Sequence, residues 1–391
     1  MKKTLLTICL VWMCFSLSAQ KIIDLSGKWS FSIDRQDNGE KEKWFSHTLN
    51  DFINLPGSMP EKLKGDEVTA KTQWTGSLYD SSYYYNPYME KYRKEGNIKF
   101  PFFLTPDKHY VGAAWYQKEV NIPADWKGER ILLFLERPHI ETTVWVNGQK
   151  TGMQNSLCVP HQYDITHYVR PGKCTITIRV DNRIKEINVG PDSHSITDQT
   201  QGNWNGIVGR ICLQTTPKTY FDDIQIYPEP EQKLARVKVV IKGTGTAKVK
   251  LSAESFNTDK KHIVPAIQQE IKLNKGVTET EMVLPMGNDM LLWDEFHPAL
   301  YKLKAEVTNG KKTEIKEIQF GMRRFEIKGK WFYVNGRKTQ LRGTVENCDF
   351  PLTGYAPMDV ESWERVFRIC RSYGLNHMRF HSFCPPEAAF M

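Results

Sequence analysis

The sequence predicts a mostly β protein: an antiparallel β-sandwich, a second and smaller β-sandwich, then the first two βα units of a parallel α/β fold. Three observations carry this reading. Short apolar–polar alternations, broken by turn residues, fill the chain up to about residue 325. The pairs Asn147-Gly148 and Asn335-Gly336 mark tight hairpins, because a type I′ turn needs positive φ at both positions. Beyond residue 325 the apolar period changes from that of a strand to that of a helix and back, the order of a parallel sheet.

The elements follow in order. Leu5 to Leu17, behind Lys2 and Lys3, is an apolar run too short to span a bilayer, and it ends in Ser16-Leu17-Ser18-Ala19-Gln20, small residues suited to a signal peptidase. Residues 1–19 are therefore expected to be a signal peptide and the mature protein periplasmic or secreted. No later apolar stretch approaches the length of a membrane span. Cleavage after Ala19 lowers the net charge from +8 to +6 and the cysteine count from eight to six. So mild a surplus, with no Lys/Arg block, excludes nucleic acid as a partner. Cys158, Cys174, Cys212, Cys348, Cys370 and Cys384 are scattered without a CxxC pair, so they read as buried free thiols, with no metal or cofactor expected.

Residues 20–217 are expected to form the first sandwich. In Cys174 to Val180 the residues Cys174, Ile176, Ile178 and Val180 share one face, leaving Thr175, Thr177 and Arg179 on a second, solvated one. Ile131 to Leu135 is apolar throughout and suits a buried strand. Met59 to Tyr110 is different: it carries Trp74, Tyr79, Tyr83, Tyr84, Tyr85, Tyr88 and Tyr92 with no steady period. Such a stretch is expected to pack on a neighbour, the rival reading being a sugar-stacking loop.

Residues 218–325 are expected to form the second sandwich. Val237, Val239 and Ile241 alternate with lysine and arginine, as do Ala247, Val249 and Leu251, and Tyr301, Leu303, Ala305 and Val307. Tyr227-Pro228-Glu229-Pro230 reads as a boundary, since proline cannot pair in a central strand. Residues 326–391 then hold a strand ending near Val345, a helix capped by Asp359 and stopped by Gly374, a strand from Leu375 to His381, and a second helix opening at Pro385-Pro386. Met378 and Phe380 are expected to be exposed apolar residues facing a barrel interior. These 66 residues are too few for a (β/α)8 barrel, which needs roughly 250. The segment therefore reads as a barrel cut short.

Several phrases in this order resemble glycoside hydrolase family 2, which contains β-galactosidases, β-glucuronidases and β-mannosidases. They are Gly27-Lys28-Trp29-Ser30-Phe31, Leu55-Pro56-Gly57-Ser58, Ala114-Trp115-Tyr116-Gln117-Lys118, Val144-Trp145-Val146-Asn147-Gly148, Tyr163-Asp164-Ile165-Thr166, Trp204-Asn205-Gly206-Ile207, Leu292-Trp293, and Val334-Asn335-Gly336 to Leu341-Arg342-Gly343. The resemblance implies a jelly-roll-like sugar-binding sandwich, an immunoglobulin-like sandwich and the start of a TIM barrel. It also implies an exo-acting, retaining glycosidase with a glycan substrate. A non-catalytic carbohydrate-binding or surface-assembly protein is the rival from another class.

Retaining hydrolysis uses two carboxylates about 5 to 5.5 Å apart. In the family both are glutamates on later barrel strands, the acid/base following an asparagine, and this sequence contains no Asn-Glu pair. No catalytic residue is therefore assigned, and these residues alone are expected to be inactive. The expected substrate-binding residues sit at the carboxyl ends of the first two barrel strands: Glu346 and Asn347 after the first, Arg379 and His381 at the second. The resemblance implies that Arg379, matching the arginine of the family's Arg-x-Ser-His-Tyr-Pro phrase, supports the nucleophile. Here the histidine comes one place early, at His381, and Asn347 stands where the family often has histidine. His377 and His381 lack the glutamate of an HExxH helix, so no metal pair is read from them.

Overall fold

The structure, a computed structural model, describes residues 21–75, 81–99, 105–185, 197–198, 202–347, 350, 353–381 and 383–391. The segment expected to be a signal peptide lies outside the described residues, as do Tyr79, Cys348 and Ser382. Two compact units emerge. One comprises Lys21–Thr216, Ile327–Phe332 and Lys338–Met391; the other comprises Pro217–Glu326 and Tyr333–Arg337.

The first unit is built mainly on two antiparallel sheets. Six strands form one, in the spatial order Gln149–Asn155, Glu141–Val146, Gly172–Asp181, Ala113–Ile122, Gly27–Asp34, Asp51–Leu55. The other runs Ile22–Asp24, Gly206–Thr216, Arg130–Pro138, His161–Asp164, with Gly57–Ser58 also pairing on Gly206–Thr216. Inward side chains of both sheets make one core, including Phe31, Tyr116, Ile176 and Val144 from the first and Leu133, Leu135, Ile207 and Leu213 from the second. Asn147 (φ 50°) and Gly148 (φ 78°) make the expected hairpin, with Val146 opposite Gln149.

One expectation fails in an informative way. Thr177 and Arg179 are buried although alternation predicts them solvated. An aromatic layer of Trp44, Phe45, Trp115 and Trp145 covers that face, and charge compensation makes burial of the guanidinium possible. Arg179 Nη2 lies 2.6 Å from Asp37 and 3.0 Å from Asp181, with Glu141 3.5 Å from Nη1. Arg183 and Lys185 also reach Asp181, at 2.6 and 2.7 Å. Burial alone would raise the Asp181 carboxyl; hydrogen bonds from Arg183 and Lys185 and the charge of Arg179 hold it far below the usual carboxylate range.

In the second unit a single long hairpin, Leu234–Phe256 with Ile263–Pro285, contributes to both layers. Register shifts at Gly243/Gly245 divide it. The first half of Leu234–Phe256 pairs with Tyr220–Glu229 and the second half with Leu300–Asn309, which pairs in turn with Lys312–Phe320. Val237, Val239 and Ile241 from one half, and Ala247, Val249 and Leu251 from the other, join one buried core. The proline boundary is corrected. Pro228 pairs within Tyr220–Glu229, which lies at the edge of its sheet, where a missing N–H is harmless.

The C-terminal residues return to the first unit. Gly343–Glu346 and His377–Phe380 pair in parallel, and the helix Val360–Ser372 connects them. The Asp359 side chain accepts from Ser362 N at 2.8 Å, closing the helix start, and Gly374 takes φ 76° at its end. After Pro386 there is a single 3-10 turn, Glu387–Ala389, rather than the expected α-helix. The reading of all cysteines as buried is also corrected: Cys174 and Cys212 are buried, Cys158 is half-buried and Cys384 is exposed. Phe380 is not exposed on a barrel-facing side. It is half-buried, its ring 5.7 Å from Trp363 and 5.6 Å from Phe383, in the cluster that seats the helix. The opposite face of the strand pair carries the exposed residues Val345, His377 and Arg379. Among the described residues no helix is long and apolar enough to cross a membrane.

Candidate functional site

Parallel pairing brings the four expected substrate-binding residues to one end of the two-stranded sheet. Val345 is opposite Arg379 and Glu346 opposite Phe380, and His381 N donates to Glu346 O at 2.8 Å. The end of one strand thus carries Glu346 and Asn347, and the end of the other Arg379 and His381. Because side chains alternate along a strand, seating Phe380 on Trp363 turns Arg379 to the opposite, open face. Glu346 and His381 are half-buried, while Asn347 and Arg379 are exposed. A cationic guanidinium and an amide on an open face can bind hydroxyl and carboxylate oxygens. They supply no acid/base pair.

The wall beside this sheet leaves no local signal in the sequence. The loop segment Thr353–Met358 docks on the first sandwich: Ser58 Oγ donates to Thr353 O at 3.0 Å and Tyr355 OH to Glu61 Oε2 at 2.9 Å. Behind it the rings of His139, Trp204 and Tyr355 stand in a row, with centroids 4.6 and 5.5 Å apart. These rings, with Arg137, Cys158, Phe383 and Pro386, border a cavity of about 70 Å3. That space is enough to hold ordered water. His139 Nε2 and Arg137 Nε are buried there without a hydrogen-bond partner among the described residues, which suits them to such waters. Burial pulls His139 down to about 4, so its ring is neutral at neutral pH. Burial, and then Glu61, raise the Tyr355 phenol.

A second polar cluster lies further along the same sandwich. Asp198 accepts from Thr75 N at 2.7 Å and from Asn203 N at 2.8 Å, and His109 Nε2 stands 3.5 Å from it. His109 in turn meets Trp74 edge-on, centroids 4.8 Å apart. Next to it Arg35, Asp66, Glu67, Lys71, Gln73 and His109 are among the residues bordering a cavity of about 450 Å3, within the range of small-molecule sites. Of the aromatic stretch, Tyr83 and Tyr110 are buried and Tyr84, Tyr85 and Tyr88 are exposed, so packing accounts for part of it only. No signal in sequence spacing could have joined Thr75, His109 and Asp198, which are brought together by loops. Among the described residues no group of three or more His, Cys, Asp or Glu side chains could hold a metal.

With this geometry in view, the comparisons decide the family. A profile described as "Glycosyl hydrolases family 2, sugar binding domain" matches residues 22–217, and one described as "Glycosyl hydrolases family 2" matches residues 219–323. The chain belongs to glycosyl hydrolase family 2. It is 23% identical over 394 residues to the human protein named beta-glucuronidase, covering 91% of this chain and 53% of the relative. It is 28% identical over 283 residues to a putative beta-glucuronidase of Formosa agariphila, covering 71% of this chain and 33% of that one. The Latilactobacillus sakei beta-galactosidase large subunit is 22% identical over 384 residues, covering 94% and 58%. Among solved structures, a β-glucuronidase from Ruminococcus gnavus in complex with a C6-substituted uronic isofagomine superposes with TM-score 0.68 at 19% identity, covering 95% of this chain and 57% of that one. That likeness shows the fold. The chain spans between a third and rather more than half the length of these relatives.

Proposed function

We propose that these residues are the non-catalytic scaffold and first barrel strands of an exo-acting, retaining glycosidase that hydrolyses a terminal glycosidic bond in carbohydrate breakdown. In this reading 20–217 is the sugar-binding sandwich, 218–325 the immunoglobulin-like sandwich and 326–391 the start of a TIM barrel. The mature protein is periplasmic or secreted. The observation that carries the proposal is the parallel strand pair with Glu346, Asn347, Arg379 and His381 at one end, docked on a family 2 sandwich. Barrel enzymes keep their chemistry at the carboxyl ends of their strands, which is the end these four residues occupy. Arg379, on the open face, binds substrate or supports a nucleophile supplied by a later strand. Asn347 and His381 complete the floor of the sugar pocket, with Glu346 behind them on the face of Phe380.

The reaction itself needs two carboxylates flanking the anomeric carbon, one donating a proton to the leaving oxygen and one attacking carbon. The sequence offers no Asn-Glu pair for the first role. The test is a panel of chromogenic β-glucuronides, β-galactosides and β-mannosides offered to a preparation confirmed by mass to end at Met391. No turnover is expected. Turnover would refute the placing of the catalytic pair outside these residues. A genomic reading frame running on past codon 391 into an Asn-Glu pair would support the enzyme, and a stop codon there would favour a degraded gene or the carbohydrate-binding rival.

A further inference from the structure

We propose that the 450 Å3 cleft bordered by Arg35 and His109 binds a sugar bearing a single anionic group. Its walls come from three places in the chain: Arg35, just past the strand Gly27–Asp34; the antiparallel pair Asp66–Glu67 and Lys108–His109; and the turn from Thr69 to Gln73. Hydroxyl groups close that turn, Thr72 Oγ1 accepting from Thr69 N at 2.9 Å and Thr69 Oγ1 from Lys71 N at 3.2 Å. His109 backs the cleft. It is 7% exposed, held edge-on against Trp74 and 3.5 Å from Asp198, and its Nε2 has no hydrogen-bond partner among the described residues. A buried polar atom left in that state is uncommon and marks functional or wetted places in a fold.

The hydrogen bonds already made define what the ligand must supply. Arg35 gives Nε and Nη2 to one carboxylate oxygen of Asp66, and Lys108 reaches one oxygen of Glu67. Each acid keeps a second oxygen that can accept. Thr69 and Thr72, whose oxygens already accept, each keep a proton to donate. Arg35 and Lys108 balance Asp66 and Glu67, while Asp198 is taken up by Thr75 N and Asn203 N. That leaves Lys71, exposed and without an ion pair among the described residues, as the uncompensated charge. A bare inorganic anion suits Lys71 but would set its oxygens against two carboxylates. A sugar with one acidic group meets every wall: the acid faces Lys71, hydroxyl protons go to Asp66 and Glu67, and hydroxyl oxygens accept from Thr69 and Thr72. A uronate carboxylate and a sulfate ester share this chemistry. Neither Glu346, Asn347, Arg379 nor His381 borders the cleft, so the inference stands apart from the reading of the strand ends.

The experiment is calorimetric titration of the full chain with D-glucuronic acid, D-glucose sulfated at its primary hydroxyl, D-glucose and inorganic sulfate. At least one acidic sugar should bind more tightly than both glucose and sulfate, and the tighter of the two identifies the acid. Lys71→Gln should weaken that sugar by about tenfold or more, the loss expected of one charge-assisted hydrogen bond, and Lys71→Glu should abolish binding. Lys71 is exposed, so neither change threatens folding; Lys127→Gln, at another exposed lysine, controls for net charge and should leave the affinity unchanged. Arg379→Ala separates the cleft from the strand ends: binding that survives it and falls with Lys71→Gln belongs to the cleft. Three results overturn the proposal. They are no binding of either acidic sugar, glucose or inorganic sulfate binding as tightly as the acidic sugars, and binding lost with Arg379→Ala but kept with Lys71→Gln.

Discussion

Asp181→Asn tests the buried charge network directly. The Asp181 side chain is fully buried and lies 3.0 Å from Arg179, 2.6 Å from Arg183 and 2.7 Å from Lys185. Asparagine keeps the shape but removes the charge and can turn an N–H₂ towards the guanidinium. Breaking a buried pair by deleting one partner destabilises by about 3–5 kcal/mol. Arg179 keeps Asp37 at 2.6 Å and Glu141 at 3.5 Å, so the lower end, about 3 kcal/mol, is expected. With an m-value of about 2–3 kcal/mol/M, the urea midpoint at pH 7 should fall by roughly 1 to 1.5 M. Tryptophan fluorescence is the natural probe, because Trp115 and Trp145 cover this face of the sheet. The acid limb supplies a second reading. Since the folded carboxyl is held low, its contribution is present above about pH 4 and lost as the carboxyl protonates below that, so the gap between parent and variant should narrow in acid. A midpoint shift under about 0.3 M at pH 7, or a gap that widens in acid, would refute the account of how Arg179 is accommodated.

Other perturbations follow from the same geometry. His139 and His161 are both pulled down to about 4 by burial, whereas in the unfolded chain they titrate near 6.5; stability should drain as pH falls from about 6.5 towards 4, and a His139→Gln, His161→Gln variant should flatten that limb in thermal scans. Trp363→Ala, emptying the centre of the helix-seating cluster, should cost about 3–5 kcal/mol locally and show as lost hydrogen-exchange protection over Val360–Ser372. Asp359→Ala should weaken the same helix by about 1 kcal/mol, and an unchanged exchange pattern would disprove the cap. Tyr85→Ala, at a largely exposed ring, should change stability by less than about 0.5 kcal/mol. If it also leaves the affinity for every glycan bound by the parent unaltered, the sugar-stacking reading of that loop falls.

Much of the fold was legible because local signals and tertiary packing agree. The helix Val360–Ser372 announced both its cap, Asp359, and its stop, Gly374, and the Asn147-Gly148 turn fixed a hairpin register. The two halves of Leu234–Phe256 showed their buried faces by alternation alone. The failures mark places where context overrode pattern. Polar residues on the strand Gly172–Asp181 read as solvated because nothing local reveals that Trp115 and Trp145 will cover them. Pro228 read as a break because edge position is a property of the sheet. That Glu346, Asn347, Arg379 and His381 gather at one end was legible because they end two strands that pair in parallel. The row of His139, Trp204 and Tyr355 was not, since only three-dimensional docking unites positions so far apart.

The docking of the C-terminal segment has one further consequence. Ser58 and Arg137 grip Thr353, Cys384 and Pro385 through main-chain carbonyls, a group every amino acid possesses. A change of side chain at any of those three positions leaves these particular bonds in place, whereas a change at Ser58 or Arg137 removes them. The residues at the end of the strand pair can therefore change without altering how the segment is attached.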